Sequence, residues 1–308
     1  MPAIDVAAAR RDRRGEAAWC FYDWANSAFP TVIVTFVFSA YFAKGVASSE
    51  IEGTALWGWA QSLSGIAIAV ASPFFGAIAD HTGQRKPWLA VFSVLCVVSS
   101  ALLWYARPDP DYVLLALVTF AVANFAFEVG TVFYNAMLPD IAPKDRIGRL
   151  SGWGWGLGYF GGLACLVVTL VAFVQADPPA LGLDRATSEH VRVVGPLVAL
   201  WFAVFSAPLF LYTPDRHPRP VPIATAVREG IGTLVNTIRQ MRDYGNIAKF
   251  MLARLFYVDA MNTLFAFGGI YAAGTFGMDI AEIIQFGIAL NVTAGLGAIA
   301  FAWVDDKI

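Results

Sequence analysis

Apolar residues run along this chain in long unbroken stretches separated by short polar segments. A helix needs about 20 mostly apolar residues to cross the hydrocarbon core of a bilayer. Eight stretches meet that length: 17–43, 54–79, 87–106, 112–138, 150–174, 193–212, 250–276 and 280–304. Four of them, 54–79, 87–106, 150–174 and 193–212, contain no Asp, Glu, Lys or Arg. Backbone inside lipid must satisfy its own hydrogen bonds, so only helices or a closed barrel qualify. Barrel strands are short and alternate in polarity, whereas these runs are long and continuous. The pattern therefore predicts an all-α integral membrane protein.

The longest polar connection, 213–249, opens with Pro214, Pro218, Pro220 and Pro222, which bar a continuous helix. Beyond them Val227, Ile231, Leu234, Val235, Ile238 and Met241 recur at helical spacing, with Arg228, Arg239 and Arg242 between them. This predicts an amphipathic helix, lying on the membrane face or serving as a packing linker. The expected organisation is a six-helix bundle over 1–212, a linker over 213–249, and the first two helices of a second bundle over 250–308.

Composition sharpens the class. The hydrophobic fraction is 58%, the charged fraction 14% and the mean hydropathy +0.60. A soluble domain carries about 25% charged residues, so a soluble enzyme is a poor fit. High hydrophobicity also excludes a disordered chain. A net charge of −2 leaves no electrostatic footprint for nucleic acid. Cys20, Cys96 and Cys165 each sit in an apolar run without metal-ligand spacing, and read as small buried residues. His81, His190 and His217 fall in loops, no His-Glu-x-x-His motif occurs, and no phosphate-binding Gly-x4-Gly-Lys loop is present. Neither a cofactor nor enzymatic activity is expected, and ATP is not the direct driver.

The positive charges orient the spans. With the N-terminus cytoplasmic, the inner segments hold sixteen Lys and Arg residues, among them Arg10, Arg11, Arg13, Arg14, Arg85, Lys86, Arg146 and Arg216. The outer loops hold four: Lys44, Arg107, Arg185 and Arg192. Arg254, just past Lys249, is expected to snorkel to the inner face or to pair with a cavity carboxylate. The Arg-rich start is expected to lead directly into a full-length span and not into a cleavable signal. A multi-pass monomer in the bacterial cytoplasmic membrane is expected.

Two features repeat. The first span reads Tyr22-Asp23-Trp24-Ala25-Asn26-Ser27-Ala28-Phe29 and the seventh Val258-Asp259-Ala260-Met261-Asn262-Thr263-Leu264-Phe265. Asp-x-x-Asn-(Ser/Thr)-x-Phe thus recurs at an offset of 236. Internal repeats of this kind mark secondary transporters. After the second span stands Gly76-x-x-x-Asp80-x-x-Gly83-x-Arg85-Lys86, and after the eighth Asp305-Asp306-Lys307 begins what reads as its second copy, with Asp306 matching Asp80. The chain is expected to stop inside that copy.

The Gly76–Lys86 stretch resembles the inner-loop signature of the major facilitator superfamily, found between helices 2 and 3 and again between helices 8 and 9. The Tyr22–Phe29 run resembles the first helix of a narrower branch, the autophagy-linked vacuolar amino-acid effluxers and their bacterial relatives. The segment from Leu138-Pro139-Asp140 through Arg149-Leu150-Ser151-Gly152 to Gly161-Gly162 is similar to that branch and to sugar–cation symporters of the same superfamily. The resemblance implies twelve helices, of which eight are present here. It implies a secondary transporter of small polar solutes, amino acids or related metabolites, coupled to a proton or another cation. A sugar–cation symporter is the alternative, and a non-transporting receptor a further one.

Charge inside lipid costs about 2.5–3.5 kcal/mol on insertion scales, so each intramembrane carboxyl needs a reason. At about 1.5 Å rise per residue, Asp23 lies about 9 Å into its span, Asp259 about 14 Å and Glu128 about 15 Å. Asn124, Glu128, Thr131 and Asn135 share one face of the fourth span. Asp23 with Asn26 and Ser27, and Asp259 with Asn262 and Thr263, repeat the pattern over one turn each. In the resemblance, helices 1, 4 and 7 line a central cavity, which Asn291 can join. The expected substrate and coupling-ion residues are Asp23, Asn26, Asn124, Glu128, Asn135, Asp259, Asn262 and Asn291, against the plainer reading that such groups only bond neighbouring helices. A gate is expected from Gly76, Asp80, Gly83, Arg85, Lys86 and Asp306, with Arg85 and Lys86 pairing across the cytoplasmic interface. Gly154, Gly158 and Gly162 place small residues every fourth position, which permits close helix contact.

Overall fold

The computed structural model describes residues 6–143, 146–217, 222–240 and 245–305, so Asp306 lies outside the described residues. No strand occurs among them. Among the described residues, eight helices are long and apolar enough to cross a membrane: Arg13–Val46, Glu50–His81, Lys86–Tyr105, Pro110–Ile141, Ile147–Val174, Glu189–Tyr212, Gly245–Phe276 and Ile280–Phe301. They are numbered first to eighth in that order. The amphipathic segment forms a helix over Ile223–Gln240, the linker helix.

Local chemistry sets where these helices begin and end. Ser49 caps the second span by accepting from the Glu52 amide at 3.3 Å, and Glu50 and Glu52 place negative charge in its positive first turn. Gly83 ends it with φ 83°, a backbone state other residues resist. Asp109 accepts from the Asp111 amide at 2.9 Å, and Pro110 then opens the fourth span without an orphaned donor. The first span is irregular. After Asn26 it widens into π-helical turns over Phe29–Phe36 and again over Phe42–Val46. Pro30, which has no amide hydrogen, sits at the start of the first of these.

Lipid offers apolar surface as freely as the protein does, so helices associate here through close packing and interhelical hydrogen bonds. The first span lies at the centre. Its Trp19 indole donates to the Tyr134 carbonyl at 3.1 Å, with the two rings stacked at 4.4 Å, tying it to the fourth span. Tyr22 bonds Ser93 of the third span at 2.8 Å, and Trp201 of the sixth donates to the Trp24 carbonyl at 3.2 Å. The fifth span meets the first through its glycines. A Cβ on Gly161 would overlap the Trp24 carbonyl, and one on Gly158 would sit 2.6 Å from the Ser27 hydroxyl. Its other side receives the eighth span, where Gly156 faces Ile299, and Gly295 faces Tyr159 and Phe160. The seventh span is buried only towards its end, at Ala266, Gly269, Ile270, Ala272 and Ala273, where Gly269 lies against the backbone of Thr35 and Phe36. Its opening half, residues 249–260, is exposed.

The linker helix docks on the end of the second span. Ala226 is buried, Gly230 nests on Ala77, and the His81 Nε2 lies 3.9 Å from Glu229. A Cβ on Gly230 would overlap Ala77, whereas one on Gly232 meets nothing within 4 Å. Gly230→Leu is therefore expected to undock this helix. Overpacking costs about 1–3 kcal/mol, so cleavage at Arg228 and Arg239 under limited trypsin should accelerate about tenfold. Gly232→Leu should cleave at the parental rate. Equal rates for both variants would show that the helix is not held at this contact.

Candidate functional site

The carboxylates singled out from the sequence occupy two kinds of surroundings. Asp23 is packed in the seam between the first, fourth and fifth spans, with Tyr134 and Asn26 beside its carboxylate. The absence of a side chain at Gly154 makes room for it, since a Cβ there would stand 2.7 Å from Asp23 Oδ2. Asn26 is buried and accepts from Ser27 Oγ at 3.3 Å. Glu128 is exposed midway along the fourth span, and no hydrogen-bond partner for it is found among the described residues. Its neighbours Val129 and Gly130 are buried, with Gly130 turned to Phe92 of the third span.

Of the polar face that runs past Glu128, Asn124 is turned inward and donates to Ser64 of the second span at 3.0 Å. Thr131 bonds its own helix, and Asn135 is exposed. Asp259 and Asn262 are exposed on the seventh span. Asn291 is buried and donates to the Gly287 carbonyl one turn back at 2.8 Å. Arg254 is exposed.

A second cluster lies at the membrane face where the first span begins. The Arg85 guanidinium, its side chain only 4% exposed, pairs with Asp140 at the end of the fourth span. Arg216, just past the sixth span, pairs with the other oxygen of the same carboxylate. The Asp215 carboxylate accepts from the amides of Arg85 at 3.1 Å and Lys86 at 3.0 Å. Those amides are orphan donors at the positive end of the third span, where an anion is favoured. The Lys86 ammonium donates to the Phe210 carbonyl at 3.1 Å. The structure places these pairs within the first six spans, because the turn at Gly83 brings Arg85 back to the ends of the fourth and sixth. Asp80 is exposed, and a Cβ on Gly76 would meet nothing within 4 Å.

Asp140, Asp215 and Arg216 did not stand out as gate residues in the sequence. Their signal was position alone: Asp140 and Asp215 each follow a proline at the end of a span, and Arg216 comes next after Asp215. Asp140 and Asp215 lie 55 and 130 positions from Arg85, and only the topology brings them to it.

This arrangement of spans and charged turns has relatives. The sequence model of the family described as "Vacuole effluxer Atg22 like" matches residues 11–308. The chain belongs to that family. The Atg22-like chain is 27% identical over 270 residues to the uncharacterized MFS-type transporter YxiO of Bacillus subtilis, which covers 86% of this chain and 61% of that protein. It is 24% identical over 294 residues to an uncharacterized protein of Aquifex aeolicus, covering 94% of this chain and 66% of the other. It is also 22% identical to autophagy-related protein 22 of Coccidioides immitis, over 74% of this chain and 46% of the other. The chain thus spans under two thirds of the length of these relatives. Among solved structures, the xylose transporter XylE from E. coli in a partially occluded inward-open conformation matches with a TM-score of 0.52 at 15% identity, over 92% of this chain and 68% of that one. That likeness establishes the fold: this Atg22-like chain is a multi-pass membrane protein with major facilitator architecture.

Proposed function

We propose that the protein is a secondary active transporter that moves small polar solutes by alternating access, with amino acids or related metabolites as substrates and a proton or another cation as the coupling ion. The observation that carries this reading is the exposure of Glu128 and Asp259 within membrane spans. A carboxylate facing lipid costs about 2.5–3.5 kcal/mol, whereas one facing a water-filled cavity does not. Burial disfavours the charged form of a carboxyl. A carboxyl whose surroundings alternate between open and closed can therefore take up a proton on one side of the membrane and release it on the other. In this reading the face of Arg85 and Asp140 is the cytoplasmic one, as the distribution of Lys and Arg suggests. In this reading residues 1–212 are one bundle, 213–249 its linker, and 250–308 the opening of a second. The amino-acid assignment rests on the resemblance of the Tyr22–Phe29 run to the vacuolar amino-acid effluxers.

The test uses the complete reading frame in proteoliposomes enclosing a pH-sensitive dye. Pooled amino acids are expected to evoke a proton flux that Glu128→Gln reduces to background. A response to pooled sugars alone would move the substrate class. Normal flux with intact pH dependence in both Glu128→Gln and Asp259→Asn would remove these carboxyls from the coupling role.

A further inference from the structure

We infer that Lys44 is a latch holding closed the membrane face opposite Arg85, by gripping backbone carbonyls at the end of the seventh span. The inference rests on the alternating-access reading and names the residue that biases it.

Lys44 lies in the last, π-helical turn of the first span, Phe42–Val46. Its ammonium donates to the carbonyl of Ala273 at 3.1 Å and to that of Met278 at 3.3 Å. These acceptors belong to the place where the seventh span ends. The helix stops at Phe276, Gly277 takes φ 68°, and the Met278 amide returns to the Ala272 carbonyl at 3.3 Å. The last carbonyls of a helix lack intrahelical donors and form the negative end of its dipole. A lysine ammonium, with three donors and no acceptor, meets both needs.

The surroundings make this contact specific to the closed arrangement. Deeper in the same interface, Thr35 and Phe36 of the first span meet Gly269 of the seventh and Gly287 of the eighth by packing alone. Glu50, which opens the second span, packs against Gly274, and its Oε1 is buried with no hydrogen-bond partner among the described residues. Lys44 thus serves the carbonyls of the seventh span and not this adjacent carboxylate. When the first and seventh spans part at this face, water satisfies the carbonyls, the Glu50 carboxylate is released from the seventh span, and the ammonium is freed. A contact made in one state only shifts the population towards that state. The acceptors are backbone atoms, so the cation is the element that mutation can remove.

The test reads opening directly, in the complete reading frame and without substrate. Thr35, 4% exposed at the sealed interface, is replaced by the near-isosteric cysteine, and a membrane-impermeant maleimide is added from the Lys44 face. The native cysteines are buried. Lys44→Gln is expected to speed labelling of Thr35→Cys about tenfold, the scale of one charge-assisted hydrogen bond. Lys44→Arg, which keeps a cation at the carbonyls, should label near the parental rate. Unchanged or slower labelling in Lys44→Gln, with the parental melting temperature, would overturn the latch. Lys44→Met repeats the test should Lys44→Gln not fold, and failure of both to fold would assign Lys44 to fold stability and overturn the latch too. Unchanged labelling beside normal transport counts against the latch alone. Lys44-dependent labelling beside absent amino-acid flux counts against the proposed substrate alone.

Discussion

Replacing Asp140 with alanine is expected to destabilise the protein by about 3 kcal/mol, the lower part of the range for breaking a buried ion pair from one side. The argument rests on what is left behind. The Arg85 side chain is 4% exposed and would lose its carboxylate, while Asp140 itself is 23% exposed. The partial exposure of Asp140 places the estimate at the low end. Arg216→Ala breaks the outer pair of the same carboxylate, in which the arginine side chain is 38% exposed, and should cost no more than about 1 kcal/mol. Arg85→Met removes the buried charge together with its need for a partner, and should cost less than Asp140→Ala. Thermal unfolding in detergent orders the three. Equal losses for Asp140→Ala and Arg216→Ala would mean that Arg85 does not depend on this carboxylate.

Gly161→Val is expected to abolish recovery of folded protein. Inserting extra methylenes into a packed interior costs about 1–3 kcal/mol when side chains can move aside. At Gly161 the obstacle is the Trp24 backbone, so the first and fifth spans would have to separate. Size-exclusion chromatography of the solubilised protein should show aggregate in place of a monodisperse peak. Gly65→Ala is the control. Its Cβ meets nothing within 4 Å, and removing a mid-helix glycine gains up to about 1 kcal/mol of helix propensity. A monodisperse Gly161→Val protein would show that the two spans tolerate a wider separation.

The spans were legible because a membrane helix is written as a continuous apolar run, and the linker helix because its apolar residues keep a 3.6-residue period. Their ends were less so: the seventh span begins at Gly245, where the pattern placed it at 250. Pro30 was visible in the sequence, but the contact of the widened turn at Thr35 and Phe36 with Gly269, a residue far along the chain, was not. The same distinction divides the site. The shared face of Glu128 and Asn135 follows from helical spacing. Which members of that face turn to a neighbour does not, because the hydroxyl that takes Asn124 lies 60 positions away, on Ser64. Arg85 was conspicuous as a charge in a loop signature, while the carboxylates that engage it were ordinary helix-end residues until the topology assembled them. Lys44 counted only as one of the few cations of the outer loops, since its partners are carbonyls, which the identity of a residue does not reveal.

The two sides of the fifth span face different futures under mutation. At Gly156 the obstacle to a methyl group is the Ile299 side chain, 2.8 Å from where the Cβ would stand. A smaller residue at 299 can therefore act as a suppressor, and the pair is free to drift together through compensated steps. At Gly161 the obstacle is main chain, which no exchange of side chains can trim. The seam to the first span is thus a one-way door in sequence space, whereas the seam to the eighth can be rewritten. Sequence variation therefore has room where the fifth span meets the eighth and little where it meets the first.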